Sequence, residues 1–219
     1  MITDYLVKAS NGLIKVVPEY RDEGLGYTAF NSGSVECEVG EFLYGLVRVL
    51  KPRMVLETGT YLGGSSSYIA QGLKDNNTGM LETLEIEEQH IGSSKQLWHL
   101  LDLQKWITSY KISSSEFEPK CNYELMFLDS EPPIRYGELV RFYNNLTPGG
   151  FAIIHDCPRS FCQGNVNPDH PEIKSWPFGP LNPEIKQWVK DRELIPFHLP
   201  SPRGCVIFYK SRADDYKFL

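Results

Sequence analysis

Between residues 55 and 65 the chain reads Val-Leu-Glu-Thr-Gly-Thr-Tyr-Leu-Gly-Gly-Ser. Glu57 ends a short apolar run, and Gly59 and Gly63 follow it in the spacing Glu-x-Gly-x-x-x-Gly. Glycine lets the backbone adopt dihedrals other residues resist and lets a ligand approach the main chain. A helix starting just beyond would offer the free N–H groups of its first turn. A nucleotide-like ligand suits such a turn. The spacing differs from the Gly-x-Gly-x-x-Gly of dinucleotide sites. A carboxylate at the strand end repels a pyrophosphate and suits a ligand with a cationic amino-acid part. Glu57, Gly59, Thr60, Gly63 and Ser65 are therefore candidate ligand residues, and an ordinary glycine-rich connection is the plainer alternative.

Three further places could do chemistry. Leu81-Glu-Thr-Leu-Glu-Ile-Glu87 puts acidic side chains near the end of a second strand, where carboxylates commonly bond ribose hydroxyls. Glu85 is favoured there over Glu87. Asp129 and Asp156 each end a buried apolar run, Leu125–Leu128 and Phe151–Ile154. His155 precedes the second aspartate and could accept a proton near neutral pH. Strand side chains alternate, so His155 and Asp156 are expected on opposite faces, one of them structural.

The elements needed to position these residues are legible. Val39, Phe42, Leu43, Leu46, Val47 and Leu50 fall at helical spacing, with Ser34 as an expected cap and Lys51-Pro52 as the stop. Strands near 54–56, 80–86, 106–110, 125–128 and 151–154 alternate with helices near 65–73, 88–103 and 136–146. That alternation predicts a doubly wound, mostly parallel α/β sheet in one domain. A helix near 183–191 leads to two strands around Ser201-Pro-Arg-Gly204, an antiparallel closing hairpin. Residues 1–33 are weakly patterned, and 157–181 form a proline-rich loop after a strand end, a place where open α/β sheets bind ligands. His170, Trp176 and Phe178 are its candidate lid and pocket residues.

In order, Glu57-x-Gly59-x-x-x-Gly63, Thr83-Leu-Glu85-Ile, Phe127-Leu-Asp129, Leu146-Thr-Pro-Gly-Gly150 and His155-Asp156 resemble the motifs of class I S-adenosylmethionine-dependent methyltransferases. Within that class the chain is similar to catechol and caffeoyl-CoA-type O-methyltransferases and to family 24 and macrocin-type enzymes. The resemblance implies a Rossmann-like seven-stranded sheet of order 3-2-1-4-5-7-6. It implies that Glu57 and Gly59 hold the methionine part of the cofactor and Glu85 the ribose, that Ser114 or Ser115 lies by the adenine, and that Asp129 also meets the cofactor. It further implies a lid or substrate segment at 1–33, a cofactor-binding domain at 34–219 and an active-site loop at 157–181. In that fold the strands ending at Asp129 and Asp156 are neighbours, about 4.8 Å apart, so the two could share Mg²⁺ or another divalent cation. Two departures stand against a metal. Cys157 replaces the expected asparagine and is a poor ligand for a hard cation. The expected lysine after Asp129 is missing from Ser130-Glu-Pro-Pro-Ile-Arg-Tyr136, where Glu131 could offer a third carboxylate.

The expected function is O-methylation of a small hydroxylated molecule, a sugar or natural product. A cofactor-binding module with decayed catalysis and a nucleotide-dependent oxidoreductase are the competing readings. With 22 Lys and Arg against 28 Asp and Glu, the net charge of −6 argues against nucleic-acid or anionic-membrane partners. No run approaches the roughly 20 apolar residues of a membrane span. The five scattered cysteines suit a reducing cytoplasm. The N-terminal segment offers a surface for a second copy.

Overall fold

A computed structural model describes residues 1–20, 26–31, 33–131, 134–157, 182–199, 201 and 203–215. His170, Trp176 and Phe178 lie outside the described residues. The chain packs as two compact units, residues 1–116 and 117–219.

The first unit holds α1 (Ile2–Ala9), β1 (Val17–Tyr20), β2 (Gly26–Ala29), α2 (Cys37–Leu50), β3 (Met54–Thr58), α3 (Gly64–Asn76), β4 (Met80–Glu85), α4 (Glu88–Leu100) and β5 (Ile107–Lys111). β3, β4 and β5 are parallel, with Glu57 opposite Thr83 and Glu85 opposite Lys111. The described residues of the weakly patterned first segment form α1, β1 and β2. β1 and β2 pair as a separate hairpin, and Leu6, Ile14 and Phe30 join the core around Tyr68, Leu97 and Trp98. Glu41 fixes α1 to α2, accepting from the Thr3 N–H at 2.7 Å and the Thr3 hydroxyl at 2.6 Å.

Ser34 does not cap α2. Glu36 is the N-cap residue, and a bridge from Ala29 to Glu36 keeps the chain extended that far, so the helix begins at Cys37. α2 meets α3 where Gly40 faces the buried ring of Tyr68, and a Cβ on Gly40 would overlap that ring. Gly40→Ala is expected to destabilise the protein by about 1–3 kcal/mol through overpacking. It should appear as a lower urea midpoint at unchanged slope.

The second unit holds β6 (Tyr123–Leu128), α5 (Arg135–Phe142), β7 (Leu146–His155), α6 (Pro183–Lys190), β8 (Leu194–Leu199) and β9 (Cys205–Lys210). β6 and β7 are parallel, whereas β9 runs antiparallel to both β7 and β8, the expected closing hairpin. Leu125, Met126, Phe127 and Leu128 are all fully buried, which is why β6 reads as an unbroken apolar run. The strand order is β5-β4-β3-β6-β7-β9-β8. Counted from β3, that is 3-2-1-4-5-7-6. Among the described residues no helix is long and apolar enough to cross a membrane.

Candidate functional site

In the first unit the candidates gather at the C-terminal ends of β3, β4 and β5. β3 runs into a turn in which Gly59 and Gly63 take φ of 79° and 81°, a region open to glycine at little cost. The Gly59 and Thr60 N–H groups donate to the Leu84 carbonyl at 3.0 and 3.2 Å, tying the turn to β4. Gly63 heads α3 with no side-chain cap, and a side chain on it would run into the Trp98 indole.

Glu57 is fully buried beneath this turn. Its carboxylate accepts from the Ser65 hydroxyl at 2.6 Å, from the Ser66 hydroxyl, and from the Thr83 hydroxyl at 2.5 Å. The Thr60 and Thr83 hydroxyls lie 2.5 Å apart. The residues that sequence spacing links are thus in contact, but the carboxylate serves hydroxyls of its own chain and shapes the turn from below.

Glu85 faces the turn more directly. Its Oε2 accepts from the Tyr61 N–H at 2.7 Å, and its Oε1 accepts from the N–H groups of Ile86 and Glu87 at 2.9 and 3.0 Å. Oε2 keeps a lone pair for a further donor. Glu87 is exposed and heads α4. The Ile112 N–H donates to the Glu85 carbonyl at 3.0 Å and brings the end of β5 alongside. Just beyond it, Ser114 is buried, whereas Ser115 is exposed and bonded to the Ser113 hydroxyl at 2.8 Å.

In the second unit, Leu128 pairs with Ile154, which sets Asp129 beside the end of β7. His155 Nδ1 lies 2.9 Å from Asp129 Oδ1. His155 and Asp156 do not point to opposite faces. Asp156 takes φ of 56°, which breaks the strand alternation at that residue. One ligand atom from each of Asp129, His155 and Asp156 therefore lies within 4.8 Å of the others. Glu131 is exposed and outside this cluster.

Two arginines complete the cluster. Arg135, the first residue of α5, has Nη2 2.9 Å from Asp129 Oδ1 and Nη1 3.2 Å from Asp156 Oδ2. It also donates from Nε to the Ser130 carbonyl at 2.6 Å and from Nη1 to the His155 carbonyl at 2.7 Å. Arg203, in the turn before β9, donates in bidentate fashion to Asp156 at 2.6 and 2.7 Å. Burial pushes the Asp156 carboxyl up, but His155, Arg203 and Arg135 outweigh it and hold the group well below the usual carboxylate range.

The class this chain resembles implies a divalent ion here, and the residues do not fit one as arranged. Two carboxylates already face two guanidiniums. Cys157, where an oxygen ligand is expected, is buried with its thiol 3.5 Å from the Tyr136 hydroxyl. The sequence reading missed Arg135 and Arg203. Arg135 was visible as a cation six places after Asp129. Arg203 has no local signal, since its partner is 47 residues away.

No protein-family model matches the chain. It is 24% identical over 181 residues to a candidate O-methyltransferase of Mycobacterium sp. strain JLS, covering 80% of this chain and 79% of the relative. A candidate O-methyltransferase structure from Klebsiella pneumoniae matches with a TM-score of 0.69 at 18% identity, over 96% of this chain and 90% of that one. The O-methyltransferase TomG of Streptomyces achromogenes, involved in tomaymycin synthesis and solved with S-adenosylmethionine, matches with a TM-score of 0.67 at 17% identity over 82% of each chain. At these identities the solved structures carry the fold, and that fold agrees with the strand order above.

Proposed function

We propose that this chain is an S-adenosylmethionine-dependent O-methyltransferase acting on a hydroxyl of a small polar molecule, a sugar or natural product. The observation that carries this reading is Glu85. Its carboxylate stands at the end of β4, bonded through Oε2 to the Tyr61 N–H of the glycine turn, with acceptor capacity left for a ribose hydroxyl. The relatives' descriptions support oxygen as the acceptor atom.

S-adenosylmethionine, when bound, supplies an electrophilic methyl on a sulfonium. The chain binds and orients. Gly59, Thr60 and Gly63 give the backbone turn, and Glu57 and Ser65 hold its shape from beneath. Glu85 takes the ribose, and Ser114 or Ser115 lies by the adenine. Asp129 accepts the hydrogen bond, then the proton, of the substrate hydroxyl. Asp129 is 13% exposed, against 5% for Asp156 and none for His155. His155 is thus a positioning residue for Asp129 instead of the base itself. Residues 1–33 and 157–181 are the segments we assign to acceptor choice, the former also to pairing with a second copy.

Calorimetric titration with S-adenosylhomocysteine tests the reading. Micromolar binding is expected, weakened about 10- to 100-fold by Glu85→Ala, the worth of a hydrogen bond to a charged group. A folded protein that takes up no S-adenosylhomocysteine would sink it. Turnover with any hydroxylated acceptor would set aside the decayed-module alternative.

A further inference from the structure

We infer that Arg135 and Arg203 stand where a divalent cation would otherwise act, so that this chain holds no such ion at Asp129 and Asp156 and works without one. The inference takes its catalytic meaning from the methyltransferase reading. Its physical content, the charge state of one cluster, does not depend on it.

The charge count comes first. Asp129 and Asp156 carry two negative charges, and the guanidiniums bonded to them carry two positive ones before any proton on His155 is counted. A divalent ion inserted here would meet two fixed cations within a few ångströms, in a largely buried place where water screens them weakly.

The arginines are also locked in place. The Arg135 side chain is 5% exposed, and two backbone carbonyls, of Ser130 and His155, hold its Nε and Nη1. It cannot swing out without abandoning both. Arg203 is carried by a turn closed from the Gly204 N–H to the Ser201 carbonyl and hydroxyl, at 3.0 and 2.9 Å. That turn is stitched to the end of β7 by the Cys157 N–H, which donates to the Gly204 carbonyl at 3.0 Å. The backbone thus delivers Arg203 to Asp156 in a fixed bidentate fork, a geometry a guanidinium satisfies and a lysine does not.

The remaining ligand positions agree. The Cys157 thiol is soft where a hard cation needs oxygen. His155 Nδ1 is already committed to Asp129 at 2.9 Å. A substrate oxygen would be oriented by Asp129, which Arg135 holds in place from Nη2 at 2.9 Å, and no ion would need to bridge them.

Mn²⁺ reports on this directly, because its free-ion EPR signal disappears on binding. Wild-type protein should leave that signal undiminished, and S-adenosylhomocysteine should bind equally well with and without EDTA. Arg135→Ala/Arg203→Ala, checked for folding by circular dichroism, should bind Mn²⁺ more than about 10-fold tighter than wild type. If the double variant fails to fold, Arg203→Ala alone should show a gain in the same direction. Binding of one Mn²⁺ per wild-type chain, lost in Asp156→Asn, would overturn the inference. So would a folded arginine variant with no gain. Failure of S-adenosylhomocysteine to bind would instead strike the methyltransferase reading and leave the Mn²⁺ result standing.

Discussion

Asp129→Asn is expected to slow methyl transfer by about 10²- to 10⁴-fold, the range for losing a positioned proton acceptor, while S-adenosylhomocysteine affinity stays unchanged. Of the three clustered side chains, Asp129 is the one that reaches the surface, at 13% exposure. Its Oδ1 is taken by His155 Nδ1 and Arg135 Nη2, both at 2.9 Å. Oδ2 takes no hydrogen bond from the described residues, so it is the oxygen a substrate hydroxyl can meet. Asparagine keeps the shape but cannot take up a proton. The measurement is single-turnover transfer of a labelled methyl group to an acceptor found by screening hydroxylated compounds. A variant that kept its rate would remove Asp129 from the chemistry. One that lost S-adenosylhomocysteine affinity instead would make it a cofactor contact. His155→Gln separates the roles further. A residue that aims Asp129 should lower kcat with little change in KM, by less than the loss of Asp129 itself.

The parts of this site that could be read in the sequence are those fixed by local rules. Gly59 and Gly63 announced a turn because left-handed backbone is itself a property of residue type, and both adopt it. β6 was legible because a strand covered on both faces must be apolar throughout. Glu85 was legible as an acidic residue at a strand end, and it is the last residue of β4. The parts that could not be read are those where the tertiary structure breaks a local rule. Alternation along β7 put His155 and Asp156 on opposite faces, and one left-handed residue, Asp156, overrides it. Ser34 is a good cap by type, but its neighbour Glu36 is held extended against Ala29. The missing lysine after Asp129 stood against a metal. The cations beside the two aspartates are Arg135, at the head of α5, and Arg203, which no pattern near Asp156 could reveal.

Asp156→Asn is expected to cost about 3–5 kcal/mol of folding stability at neutral pH, the penalty for removing one partner from a buried ion pair. Arg135 and Arg203 would both keep their charge and lose a carboxylate, Arg203 losing its bidentate partner. The cost should depend on pH with a definite sign. The folded protein holds Asp156 below its ordinary range, through His155, Arg203 and Arg135 acting against burial. The group therefore binds protons more weakly when folded than unfolded, and its stabilisation is complete above the unfolded value of about 3.9. It drains away as the pH falls toward the lower folded value. Denaturant midpoints of wild type and variant should be farthest apart near neutral pH and begin to converge below about pH 5. The convergence follows because a protonated Asp156 in the wild type is, electrostatically, the asparagine of the variant. A gap that stayed constant into acid would mean that Asp156 acts by shape and hydrogen bonding alone. A gap that widened would mean that its carboxyl is raised by burial, leaving the two arginines without the ion pair that defines this cluster.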